Sequence, residues 1–514
     1  MKKLLFTTVL IFLTVAAFAQ PKKIQYRAEW SIHDEDVLPG ITKLVGSVVF
    51  TQDEVVGYCD SAYLHENENI LEAFGKKVII HINDSVTLYG KYVKYNGDTK
   101  IASISKDVIL EDPTSVLYTD SLIYDLNADL AYYITGGKII NKENTLTSII
   151  GNYYTKTNWA YLYHDVHVVN ESYTMDCDSL SINTETEIVY FLSRTHLISD
   201  ENEIFTTSGW YDTQQDLALL VEDVEIYSEA QQITGDSLYY DKNMRFGIGW
   251  NNVVVTDTAE GYILMGDYLE HYENGGISLA TKSPVLILLD KMDSLFVHAD
   301  TFHIHIDTLQ EVQLIVGFNH VKFFREDMQG ACDSIVYLMK DSVLTMFFNP
   351  VIWAEEYQLS ADTIYFFILD EDNTKIHLAR SGFIVSSLYE DSEFNQVKGL
   401  NIYGHIYKKE LQQVDVIGNA ECLYYIQEDD KSLIGINYSE TSEMRILFKE
   451  KEISGIVLYN DPDGKIYPDS QLEENERILR DFRWLIEYRP ASVEDIFHTP
   501  IPRIKAATEE KRGE

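Results

Sequence analysis

The sequence predicts an all-β protein assembled from stacked two-strand repeats of about 30 residues. Two phased ladders of recurring motifs and a period-two alternation of apolar and polar residues carry that prediction. In the first ladder, LYTDSLIYD at 117–125 and ITGDSLYYD at 233–241 are nearly the same stretch. Related stretches are centred on Asp60, Lys91, Asp120, Asn152, Asp178, Trp210, Asp236, Asp267, Asp300, Asp333 and Asp362, 26–33 residues apart. The second ladder runs between them as GKKVII, SKDVIL, HDVHVV, VEDVEI, WNNVVV, KSPVLI, FNHVKF and FNPVIW. Its valines are Val78, Val108, Val166, Val224, Val253, Val285, Val321 and Val351, with weaker copies at Ile139 and His196 and a continuation around Phe383.

Within each repeat the pattern is that of half-buried strands. Leu122 and Tyr124, Leu238 and Tyr240, and Ile335 and Tyr337 share one parity after the Asp position. Val166 and Val168, Val224 and Ile226, and Val321 and Phe323 do the same in the valine ladder, with His167, Glu225 and Lys322 between them. Such alternation gives one buried and one wet face, and the Tyr, Val, Ile and Thr content suits strands. YNGDTK, EDPT, DLNADL and DKNMR supply turns. The Gly, Asn, Asp or Pro before each valine marks a corner where a strand bends or bulges. Because one repeat cannot bury its own apolar face, repeats must stack. The expected result is two facing sheets, one from each ladder, in a long sandwich or folded-over trough.

The ends differ from this pattern. Residues 1–19, with Lys2 and Lys3, an apolar run to Val15 and Ala17-Phe18-Ala19, read as a secretory signal cleaved near Ala19/Gln20. A lead-in covers 20–39 and the repeats 40–455. The stretch 456–470, with NDPDGKIYPDS, reads as a turn-rich linker. Within 471–514, LEENERILRDFRWLIEYR (472–489) has helical spacing, with Ile478, Phe482 and Leu485 on one side. A charged tail follows.

A formal net charge of −41 repels phosphate backbones, which argues against nucleic-acid binding. The 45% hydrophobic content argues for a folded chain. Cys59, Cys177 and Cys332 fall several rungs apart, beyond disulfide reach of about 7 Å between Cα atoms, so no disulfide is expected. Neither a nucleophile elbow, a phosphate loop nor zinc-ligand spacing is present, and no cofactor or metal is expected. His303 and His305 form an H-x-H pair near His298, but on a repeat strand, where a surface role is the simpler reading. The acidic run Asp236, Asp267, Asp300, Asp333 and Asp362 has no intervening basic rung. It must be solvated, hydrogen-bonded to local backbone, or bridged by cations. What remains as a functional element is the apolar interior, either a closed core or a continuous groove suited to alkyl chains.

The phased units FGKKVIIHINDSVTLYGKYVKYN (74–96) and VEDVEIYSEAQQITGDSLYYDKN (221–243) resemble the OstA/LptA family of lipopolysaccharide-transport proteins. The length and the F-x-W…RP-x-S-x-x-D-I ending (Phe482, Trp484, Arg489, Pro490, Ser492, Asp495, Ile496) resemble the long OstA-like proteins of Bacteroidetes-type bacteria. The resemblance implies a β-jelly-roll or taco-shaped trough in the periplasm, without enzymatic activity, carrying lipopolysaccharide between the membranes. Partner transport proteins would add by edge-strand stacking at each membrane. It also implies acyl contacts at the inward residues Val78, Ile80, Val108, Leu110, Leu122, Tyr124, Val166, Val168, Val224, Ile226, Leu238 and Tyr240. The competing readings are an exported structural or adhesive repeat protein with a closed core, and a polysaccharide-active β-solenoid with paired carboxylates.

Overall fold

The computed structural model describes residues 22–498 apart from 230, 273–275, 290–292, 308–310, 371, 389–391, 409, 429–431, 451 and 474–475. The secretory leader with its cleavage point and the charged tail lie outside the described residues. The chain divides into two compact units, 1–220 and 221–514, the boundary falling within the strand Leu217–Tyr227. Both are almost wholly antiparallel β, as the repeat pattern predicts.

In the first unit, strands such as Ile70–Ile82, Val86–Asn96, Ile101–Glu111 and Val116–Asp125 each pair with their sequence neighbours. Every one is broken near its middle. Between Ile101–Glu111 and Val116–Asp125 the register runs Ser105↔Ser121 and then Val108↔Thr119, so one strand spends an extra residue at the break. The two arms of each strand therefore belong to two different sheets that face one another. The facing is direct at the corner, where a Cβ on Gly90 would lie 2.4 Å from the Ile104 Cγ2 of the opposite sheet.

This corrects one expectation. The two ladders do not build one sheet each; both mark the same corner on alternate strands, except that the break falls at Ile149 and Thr207 while Asn152 and Trp210 lie within strands. Asp-ladder residues are consequently two strands apart, about 9–10 Å rather than 4.8 Å.

The corner has a consistent backbone. Lys106-Asp107, His164-Asp165, Glu222-Asp223, Asn251-Asn252, Asn319-His320, Phe348-Asn349 and Arg380-Ser381 are consecutive pairs in the left-handed region. A non-glycine residue there costs about 1 kcal/mol or more, tolerated because the bend lets both arms bury their apolar face. Phe348 is the extreme case, a bulky residue at φ +61° with its ring 68% exposed. Phe348→Gly is expected to raise the second unit's stability by about 1 kcal/mol, measured as a higher urea midpoint at unchanged slope.

Two ladder positions in the second unit shift by one residue. Pro284 and Pro350 directly follow the left-handed pairs Lys282-Ser283 and Phe348-Asn349 and are buried, where the other corners place the inward valine. Val285 and Val351 thereby move to the outer face, leaving Leu286 and Ile352 inward, paired with Leu264 and Gly330.

The C-terminal expectations also change. The stretch read as a linker contains the strand Asp463–Tyr467, which pairs with Leu433–Lys449. The helical elements described there are single turns at Asp469–Gln471, Ile486–Tyr488 and Asp495–His498. Residues 477–485 form no helix: 480–481 make a turn, with the Phe482 N–H donating to the Leu479 carbonyl (3.2 Å), and 482–485 follow without regular structure. Gln396 accepts from the Leu479 N–H (2.8 Å) and donates to the Arg477 carbonyl (2.8 Å). Gln358 does the same for Leu485 N–H and the Arg483 carbonyl, both at 2.7 Å. Sheet side chains thus take the backbone groups a helix would have used, and Leu479, not Ile478, is the buried residue.

Candidate functional site

The first unit is filled. Val78, Ile80, Val108, Leu110, Leu122, Tyr124, Val166 and Val168, all expected to line a groove, point between the sheets and are fully buried there. The edge opposite the corner is sealed by the tyrosine that ends each D-S-L-x-Y motif and its equivalents. Tyr95, Tyr124 and Tyr153 are buried, and burial pushes each phenol up to about 12, so all remain neutral donors. Tyr95 donates to Gln52 of the facing sheet, while Gln52 Nε2 donates to the Gly97 carbonyl at 2.9 Å. Tyr153 donates to Asp112, and Thr114 Oγ1 lies 3.0 Å from Thr184 Oγ1. Asn141 completes the bridge by donating to the Thr184 carbonyl at 2.8 Å. Alanines alternate with these rings at Ala102, Ala131 and Ala160, so large and small side chains interdigitate.

The second unit begins differently. Val224 and Leu238 are buried, but Ile226 is only half-buried and Tyr240 is 37% exposed. The facing inward positions Ile233, Val255 and Leu288 are also half-buried. Ile233 pairs with Val255, and Val255 with Leu264, so these residues make one contiguous apolar strip. On the opposite sheet the sealing positions carry Gly247, His271 and Ser278, in register across neighbouring strands. A Cβ at Gly247 would meet nothing closer than 3.7 Å. The cross-strand series Tyr95, Ala102, Tyr124, Ala131, Tyr153 and Ala160 of the first unit thus becomes Tyr240, Gly247, His271 and Ser278, with less apolar bulk between the sheets. The rim there is polar: Gln231 donates to Asp257 (2.8 Å), and His271 Nδ1 lies 2.8 Å from Ser278 Oγ.

Sequence reading placed Val224, Ile226, Leu238 and Tyr240 here but missed Ile233, Val255 and Leu288. The available signal was the loss of bulk at Gly247 and Ser278, which parity counting ignores because glycine and serine score as neither core nor surface.

The acidic ladder is satisfied locally. Asp60 accepts from the Lys76 N–H (2.9 Å), and Asp300 pairs with His320 Nδ1 (2.8 Å). Asn252 bridges two acids, donating from Nδ2 to Asp236 (3.1 Å) and from its backbone to Asp267 (3.3 Å). Corner residues of the intervening strands thus separate and hydrogen-bond the carboxylates. Among the described residues no group of three or more His, Cys, Asp or Glu is arranged to hold a metal ion. His303 packs edge-on against Phe318 at 5.1 Å between centroids. The four cysteines are free thiols. No helix among the described residues is long and apolar enough to cross a membrane.

Residues 27–178, which form most of the sealed unit, match the model of the OstA-like protein family. This segment, less than half of the chain, is OstA-like. Among solved structures, the chain is similar to LptH of Pseudomonas aeruginosa, described as the LptA-homologous periplasmic component of the conserved lipopolysaccharide transport device. The likeness covers 21% of this chain and 78% of that one, at 16% identity and a TM-score of 0.19. No curated protein matches the chain.

Proposed function

We propose that this OstA-like chain is a non-enzymatic scaffold of the periplasm that carries lipopolysaccharide by its acyl chains. The acyl-binding stretch is the loosened interior of the second unit, from Ile226 to Leu288. One observation carries this reading: inward apolar residues there are solvent-accessible and faced by glycine and serine, whereas the equivalent positions of the first unit are packed solid. Each methylene buried in such a strip contributes about 0.8 kcal/mol, so even part of one acyl chain binds measurably. The OstA-like match and the leader-like residues 1–20 support export and a transport role.

A photo-crosslinking residue at Val255 is expected to form lipopolysaccharide adducts in cells, while the same residue at Leu110 forms none. Adducts at Leu110, or only at the outward Glu225, would overturn the assignment.

The first unit favours the second reading, a structural β-repeat with a closed core. Its exposed edge suits addition of a partner strand. Gln25–Arg27 and Trp30–His33 pair with the two arms of Ile41–Gln52, and Trp30 is 69% exposed beside exposed Ile32. An edge of unpaired backbone groups with apolar side chains is a template for pairing. Trp30→Lys should weaken capture of a transport partner without lowering the unit's thermal stability.

A further inference from the structure

In the second unit, the outer face of one sheet is apolar and covered by the C-terminal segment. Phe383, Val385, Leu423, Tyr425 and Ile436 form a buried cluster with Leu479, and Phe482 and Trp484 pack against it. Further along, Ala331, Val351 and Trp353 form a second cluster against Leu485 and Tyr488. The segment passes across successive strands. It passes from Glu393–Tyr407, where Arg477 pairs with Glu393 at 2.9 Å, back to Leu295–His298, where Phe497 meets His298 at 4.8 Å.

Three outward glutamines, each nearly fully buried, read its course. Gln396 and Gln358 each take one N–H and one carbonyl two residues apart, the bond pair an edge strand would offer. Gln329 Oε1 accepts from Arg489 Nε at 2.7 Å, and Arg489 also donates to the Glu355 carbonyl at 3.0 Å. Asp495 closes the end, accepting from the Ala491 and Ser492 N–H groups (2.9 and 3.1 Å) near the buried Lys322. Ile496 is fully buried. The ending F-x-W…RP-x-S-x-x-D-I is therefore the set of side chains that this face binds.

The interior beneath the segment is uneven: Leu359, Ile384 and Val397, inward under Gln358 and Gln396, are half-buried, and the tight packing is around Cys332. Beneath the segment, Val321, Phe323, Cys332 and Ile352 are inward and buried. Beyond its end at Leu295–His298, the inward Leu288 and Val255 are half-buried.

We propose that the outer face of this sheet is a peptide-reading surface whose ligand is the chain's own segment 477–497, and that its occupancy holds the interior beneath it, around Cys332, closed. The surface is built for a non-helical chain, because each glutamine takes a carbonyl and the N–H two residues on, a pair that helix geometry does not present together, with the turn at 480–481 between the two contacts. Its sequence preference comes from the apolar clusters that seat Leu479, Phe482, Trp484 and Leu485. The inference stands apart from what the interior carries.

The full chain supplies the test, with a protease site inserted between the exposed Ser470 and Gln471. After cutting, the C-terminal fragment is expected to co-elute with the body, and excess synthetic peptide 472–498 to replace it. A peptide with Leu479, Phe482 and Trp484 changed to serine should compete at least about tenfold less well. Native Cys332 is the interior reporter, with the buried Cys59 of the first unit as control. When the fragment is washed out by the serine-free competitor and then by dilution, maleimide labelling of Cys332 should rise about tenfold or more while Cys59 stays constant. Loss of the fragment with Cys332 still protected would overturn the clamp. Equal competition by the serine-substituted peptide would overturn the reading of sequence. If the cut chain precipitates, Gln358→Leu with Gln396→Leu in the uncut chain asks the same question through Cys332, and unchanged labelling there overturns the proposal.

Discussion

Tyr153→Ala is expected to destabilise the first unit by about 3–5 kcal/mol, whereas Tyr240→Ala should cost the second unit under about 1 kcal/mol. Both residues occupy equivalent sealing positions, Tyr153 paired with Ala131 and Ala160 and Tyr240 with Gly247. Tyr153 is fully buried, its hydroxyl donates to Asp112 of the facing sheet, and its neighbours Gly151 and Ala160 leave no room for relaxation. Truncation removes the packing and strands a carboxylate that now holds the Thr114 and Ser115 N–H groups. Tyr240 stands 37% exposed beside Gly247, so its removal gives up little buried surface. Separate unfolding transitions followed by urea melts would give the two values. Similar losses for the two tyrosines would mean that the second unit is as solidly packed as the first. Tyr153→Phe separates hydrogen bond from packing and should retain more than half of the lost stability.

The strand alternation was legible because it has a single cause, burial of one face, and every well-copied repeat repeats it. The corners were legible as well: a polar pair before an apolar residue marks the bend at Asp107, Asp165, Asp223 and Asn252. Which sheet each arm joins was not. A period-two pattern looks the same whether a strand lies in one sheet or folds across two, and only the pairing of Ser105 with Ser121 and Val108 with Thr119 distinguishes them. Proline misled the count at Pro284 and Pro350, because it takes the inward corner position without looking like a core residue. Open and closed interior were not separable either, since Leu122 and Leu238 sit in the same motif. The difference lies on the neighbouring strands, in Tyr133 against Gly249 and Ala131 against Gly247.

The C-terminal segment shows how a correct periodicity gives a wrong element. Ile478, Phe482 and Leu485 satisfy helical spacing, yet Leu479, Phe482, Trp484 and Leu485 are what the sheet binds. An isolated helix of this length is marginal in water. Two buried glutamines that supply paired hydrogen bonds, plus an apolar surface for the aromatic rings, outweigh that weak preference.

Trp353→Ala is the second large effect, and it tests the outer face directly. Trp353 is completely buried although it points away from the interior, so its burial depends on the covering segment. Its truncation should cost about 3–5 kcal/mol and loosen residues 485–488, read as faster proteolysis between Leu485 and Arg489. Ile352→Ala, one residue away but inward, should cost about 2–4 kcal/mol and leave that proteolysis unchanged until global unfolding. The pair separates two faces that a parity count from Val351 would have exchanged. Removing the tryptophan weakens the contact from the sheet's side, leaving the segment's own sequence intact. Rapid cleavage in Trp353→Ala but not in Ile352→Ala would therefore place the loss at the docking surface. Identical cleavage in both would mean that the segment follows the stability of the whole unit, and that its contact with this face carries no separate energy.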